Sequence, residues 1–140
     1  METQSEKQKS QNYSQKPKTD LRSRAYSYSL LLIQFIDKLP RDFSSQTIAR
    51  QLLRSGTSIG ANIVEAHGSH GKRDFANFFT HALKSANESK YWLGLLRDSG
   101  KAKRGEVEQL LDETIQLSNI LGSSLITLRG EKKKAFDFVL

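Results

Sequence analysis

Between Leu21 and Leu128 apolar side chains return every three or four positions, in four blocks divided by short turn signals. That period puts one apolar stripe on each of four helices, and no stretch reads convincingly as a sheet. The first block carries Leu21, Ala25, Tyr28, Leu32, Phe35 and Leu39, and Pro40 ends it because proline lacks the N–H that would continue the ladder. Ser44 or Ser45 then caps a second helix over Gln46 to Ala66, with the stripe Ile48, Leu52, Ser55, Ile59, Ile63 and Ala66. After the His67–Gly71 turn a third helix starts near Lys72 and turns Phe75, Phe78, Phe79, Ala82, Ala86, Ser89, Leu93 and Leu96 toward a core. Gly100 supplies the left-handed residue that stops it. A fourth helix carries Val107, Leu110, Leu111, Thr114, Leu117, Leu121, Leu125 and Leu128. Amphipathic helices joined by short turns pack as antiparallel neighbours, so the expected fold is all-α, one up-down-up-down four-helix bundle over residues 20–130.

The flanks differ. Residues 1–19 hold only Met1 and Tyr13 as apolar side chains, too few to repay the entropy of ordering, and are expected to form a disordered arm. Residues 131–140 place Lys132, Lys133 and Lys134 before an apolar tip from Phe136 to Leu140 that could dock on a neighbouring subunit or a partner. With no cysteine the chain has no disulfide, thiolate metal site or cysteine nucleophile, and a cytoplasmic setting is expected. Its longest apolar run, Leu30 to Ile33, falls far short of the roughly 18 residues a membrane span requires. A membrane is therefore not among the expected partners.

The second helix contains an awkward stretch. Arg54 to Ala61 is rich in small side chains and includes Gly56 and Gly60, each costing an isolated helix up to about 1 kcal/mol against Ala. Close approach of a neighbouring helix would offset that cost. Beside the stripe stand Asn62 and Glu65, with Glu88 flanked by core positions of the third helix. Buried together, and partnered by Arg54 or Tyr91, such groups would act as a polar lock on helix register; the alternative is a pair of carboxylates for acid/base work. No nucleophile stands beside them, so no catalytic residue is expected. A di-metal bundle needs Glu-x-x-His, but Gly68 follows Glu65 at that spacing and Tyr91 follows Glu88. His67, His70 and Asp74 are read as a turn and a helix start, and His81 as a packing residue, so neither a metal nor a cofactor is expected. The Ala66–Arg73 segment only superficially resembles a phosphate loop, since Ala66 replaces the first glycine and Arg73 the hydroxyl residue.

A net charge of +7 directs attention to anionic partners. In an up-down order the first helix starts, the second ends, the third starts and the fourth ends at one pole. Arg22, Arg24, Lys72, Arg73, Arg129, Lys132, Lys133 and Lys134 should gather there as a phosphate-binding patch for RNA or DNA. Aromatics for base stacking are scarce beside it, so contact with the nucleic-acid backbone would dominate.

The stretch Gln51 to Ala66, followed by His81 to Leu93, resembles the small four-helix proteins encoded by intervening sequences in bacterial 23S ribosomal RNA genes. Arg54, Ser58, Ile59, Asn62, Ile63 and Glu65 carry the likeness in the second helix, and Ser85 and Glu88 in the third. The chain departs from the usual pattern at Val64, Ala66, Ala86 and Asn87. The resemblance implies a homo-oligomeric ring, commonly a pentamer, without enzymatic activity, in which Arg54, Ser58, Asn62, Glu65, Ser85 and Glu88 form a structural polar core. It is also similar to the accessory protein of diversity-generating retroelements, which implies a reverse transcriptase or another RNA-associated protein among the partners.

Overall fold

The computed structural model of the chain describes residues 20–130, so the arm expected over 1–19 and the tail over 131–140 lie outside the described residues. Four helices follow one another: α1 Leu21–Asp37, α2 Phe43–His67, α3 Gly71–Asp98 and α4 Arg104–Arg129. No strand occurs among the described residues. The α1 helix is capped by Asp20, whose carboxylate accepts the Ser23 N–H at 3.1 Å. Gly100 adopts φ +71 after α3 and Gly130 φ +65 after α4, the left-handed conformation that closes a helix end.

The start of α2 corrects the sequence reading. It begins at Phe43 rather than Gln46, because the cap is Asp42 and neither Ser44 nor Ser45. An aspartate also brings negative charge to the positive end of the helix, which a serine cannot do. Its carboxylate accepts the Ser45 N–H at 3.3 Å and receives the Lys101 ammonium at 3.0 Å from the turn before α4. The nearby Ser45 hydroxyl, the Lys101 ammonium and the Ser45 backbone N–H hold the Asp42 carboxyl well below the usual range. The buried Ser45 hydroxyl makes no regular hydrogen bond among the described residues, so the Lys101 ammonium and the Ser45 backbone N–H are the firmer donors to this carboxylate.

The core follows the stripes. Ala25, Tyr28, Leu32, Phe35 and Leu39 of the first block are buried, as are Leu52, Ile59, Ile63 and Ala66 of α2. From α3 come Phe79, Ala82, Ala86, Leu93 and Leu96, and from α4 Val107, Leu110, Leu117, Leu121 and Leu125. Packing is most extensive between α2 and α3, then between α3 and α4, while α1 rests on α2 and touches α4 only lightly.

The small residues of α2 serve its contact with α1. A methyl group at Gly56 would collide with Cδ2 of the buried Leu32, so the glycine makes room for the leucine. At Gly60 the same methyl would meet Ala25 Cβ at 3.4 Å and the Ala25 carbonyl oxygen at 3.6 Å, a contact without overlap.

Four buried hydroxyls cross the core, one from each helix. Thr114 donates to the Leu110 carbonyl at 2.6 Å, which uses its only proton, so Tyr28 donates to Thr114 across their 2.7 Å contact. Ser55 and Ser89 meet at 2.8 Å, and either hydroxyl can donate there, because each also has a carbonyl acceptor in its own helix: Leu52 at 3.3 Å for Ser55 and Ser85 at 2.8 Å for Ser89. Burial pushes the Tyr28 phenol up to about 12, against the opposing pull of the Thr114 and Ser89 hydroxyls.

Two predictions follow from this packing. Gly56→Ala is expected to lower unfolding free energy by about 1–3 kcal/mol through overpacking, whereas Gly60→Ala leaves it unchanged or raises it by up to about 1 kcal/mol. Denaturant titration checks the pair, and equal effects would contradict the separate roles. In the hydroxyl chain, Tyr28→Phe should cost about 1 kcal/mol and Thr114→Val about 1–3 kcal/mol, the latter leaving a buried phenol without an acceptor. The double variant should cost less than the sum, and strict additivity would mean the two groups are not coupled.

Candidate nucleic-acid interface

Antiparallel order brings the start of α1, the end of α2, the start of α3 and the end of α4 to one pole. An open cleft of about 910 Å³ lies there, lined by Leu21 and Arg22 of α1, His67 of α2, Phe75 and Phe79 of α3, and Ile120 and Leu128 of α4. The pole thus carries Arg22, Arg24, Lys72, Arg73 and Arg129, as the topology requires. Lys132, Lys133 and Lys134 lie outside the described residues.

The cations at this pole are not equivalent. Arg22, Lys72 and Arg73 are exposed and make no ion pair among the described residues. Arg24 is half-buried and committed to α4: its Nε donates to Glu113 Oε1 at 2.6 Å, and its Nη2 to Glu113 Oε2 at 3.1 Å and to Gln116. Hydrogen bonding to Glu113 raises the Arg24 pKa further. This corrects the placement of Arg24 in the patch, because a bidentate partner across the α1–α4 seam occupies the guanidinium. Arg129 is exposed in the last turn of α4.

Lys72 and Arg73 stand in the first turn of α3, where backbone N–H groups have no acceptor within the helix. The residue before that turn, His70, makes no side-chain cap hydrogen bond, and Gly71 takes φ +82 to turn the chain. His67 sets its ring edge-on to Phe75, with centroids 5.4 Å apart. No group of three potential metal ligands forms among the described residues. No described helix is long and apolar enough to cross a membrane.

The polar residues that carry the family resemblance are not a buried core. Arg54, Glu65 and Glu88 are exposed, while Ser58, Asn62 and Ser85 are half-buried. The stripe of α2 runs through Ser55, Ile59, Ile63 and Ala66, which turns positions 54, 58, 62 and 65 to its flank. There Asn62 Nδ2 donates to the Ser58 carbonyl at 2.8 Å and the Ser58 hydroxyl to the Arg54 carbonyl at 2.7 Å. Across a shallow groove stand His81, Lys84, Ser85 and Glu88 of α3, so His81 is exposed rather than packed. Glu88 accepts the Trp92 Nε1–H at 3.2 Å, and the exposed Tyr91 ring meets Trp92 edge-on.

The lock belongs instead to Tyr28, Ser55, Ser89 and Thr114. Its signal was present in the sequence, since each of these polar residues stands on an apolar stripe where solvent exposure is not available. The cluster Lys101, Lys103 and Arg104 lies at the opposite pole, where Lys101 is held by Asp42 and Arg104 approaches Glu108 at 3.7 Å.

The geometry agrees with the likeness to known proteins. A model of the family described as 23S rRNA-intervening sequence protein matches residues 18–123, taking in α1 to α3, α4 as far as Ser123, and every residue of the polar flank. Among solved structures, the chain is similar to a protein of unknown function from the S23 ribosomal protein family of Bacteroides thetaiotaomicron. That likeness has a TM-score of 0.69 and 31% identity, and covers 75% of this chain and 97% of the other. No protein of curated function matches the chain.

Proposed function

The chain belongs to the 23S rRNA-intervening sequence protein family, and from that premise we propose a cytoplasmic, non-enzymatic homo-oligomer that contacts nucleic-acid phosphates through one pole of its bundle. The observation that carries this reading is the set Arg22 in the first turn of α1 and Lys72 and Arg73 in the first turn of α3, exposed and without an ion pair among the described residues. Unpaired cations beside free backbone N–H groups suit phosphate oxygens, and they read the backbone rather than the base sequence. Glu65 and Glu88, the carboxylates weighed for acid/base work, are both exposed.

Self-association is supported by a second surface. Tyr26, Leu30 and Ile33 follow one another at helical spacing on the outer side of α1 and are 68%, 47% and 41% exposed. Leu53 and Val64 of α2 add further exposed apolar area. Apolar groups gathered on one helix face favour burial against another chain. A ring of five is the assembly that the family resemblance implies.

Binding to duplex DNA and structured RNA should weaken steeply between about 50 and 200 mM salt, and each of Arg22→Ala, Lys72→Ala and Arg73→Ala should flatten the salt slope by about one unit. Arg24→Gln is expected to reduce stability and leave the slope unchanged. Affinity flat in salt, or a triple variant with the parental slope, would sink the phosphate reading. For assembly, light scattering should give a mass several times the 15.8 kDa of one chain, and Leu30→Glu with Ile33→Glu should reduce it. A monomer from the unsubstituted chain would refute the oligomer.

A further inference from the structure

The cleft at the basic pole exists because α1 is short. It has 17 residues, against 28 in α3 and 26 in α4. The Tyr28–Thr114 hydrogen bond sets the two antiparallel helices level, so Leu21 lies opposite about position 121. Residues 122–129 of α4 therefore continue about 12 Å past the start of α1 at 1.5 Å per residue. Over that distance one quarter of the bundle is missing, and Phe75, Ile120 and Leu128 remain only half-buried along the cleft. The preceding chain cannot fill the gap as more of α1, since Asp20 caps that helix with hydrogen bonds to the N–H and hydroxyl of Ser23.

We propose that the cleft is the docking site of the chain's own C-terminal segment, with Phe136 and Phe138 seated on Phe75, Ile120 and Leu128. Position favours it. The segment begins at Gly130, whose φ of +65 turns the chain off the α4 axis at the mouth of the cleft. Reach also suffices. From Gly130 to Phe138 the chain can span at most about 26–29 Å, while Ser123 lies only about 10 Å back along α4. Composition separates the two flanks of the bundle. Residues 131–140 contain Phe136, Phe138, Val139 and Leu140, whereas residues 1–19 offer only Met1 and Tyr13. In extended form alternate side chains share a face, which turns Phe136, Phe138 and Leu140 together and leaves Asp137 and Val139 on the other side. This inference does not depend on nucleic-acid binding.

The absence of cysteine makes a direct test possible in the full chain. Leu140→Cys, on the same face as Phe136 and Phe138, is combined with Ser123→Cys inside the cleft, or with Asn77→Cys, an exposed position on α3 outside the cleft lining. Under mild oxidation the Ser123 pair should close within one chain at least about tenfold faster than the Asn77 pair, because docking raises effective concentration beyond that of a free tether. Adding Phe136→Ala and Phe138→Ala should erase the difference. Equal rates in the parent pairs would overturn the proposal. A bridge between two chains, seen as a disulfide-linked dimer on a non-reducing gel, would seat the segment on a neighbour and overturn it as stated. Faster closure between Tyr13→Cys and Ser123→Cys would name the other flank as occupant, and would overturn it as well.

Discussion

The hydrogen bond from Tyr28 to Thr114, with that between Ser55 and Ser89 beside it, sets the heights of helices that apolar packing alone would let slide. Leucine and isoleucine stripes are nearly periodic, so a shift of one turn exchanges one apolar contact for another of similar value. A buried hydroxyl does not allow that exchange, because losing its partner leaves a desolvated polar group costing about 1–3 kcal/mol. The α1–α4 seam especially needs such a constraint, since α1 makes its lightest contact there. The ion pair of Arg24 with Glu113 reinforces the same seam nearer the basic pole.

From that height everything at the pole follows. If α1 sat one turn nearer the basic pole, Leu21 would cover more of Phe75 and Ile120, and the cleft would close. At the observed level the ends of α3 and α4 extend beyond α1, and the exposed Lys72 and Arg73 stand at the same pole as an apolar hollow. The pole is thus charged and apolar together, a consequence of unequal helix lengths around one fixed level.

The polar flank of α2 and α3 shows where pattern reading failed. Arg54, Ser58, Asn62 and Glu65 sit close enough to the stripe for a modest rotation of α2 to bury them. What prevents it is the contact with α1, because Gly56 must face Leu32, which also brings Gly60 opposite Ala25. Those two contacts orient α2 about its own axis and turn the flank outward. Arg24 was misread for a related reason: in sequence it is one more cation near Arg22, and its acidic partner lies 89 residues away.

Helical period, turn positions and the inward stripes were determined by the sequence itself, since each depends on side chains three or four positions apart and on local backbone preferences. Even the gathering of cations at one pole required only the count of turns between helices. Helix level and rotation were decided by the tertiary structure, and with them which polar residues became the lock, which stayed outside and which arginine was already taken. Those outcomes depend on contacts such as Tyr28 with Thr114 and Gly56 with Leu32, between residues far apart in the chain, and no local pattern encodes the fit of two surfaces that meet only after folding.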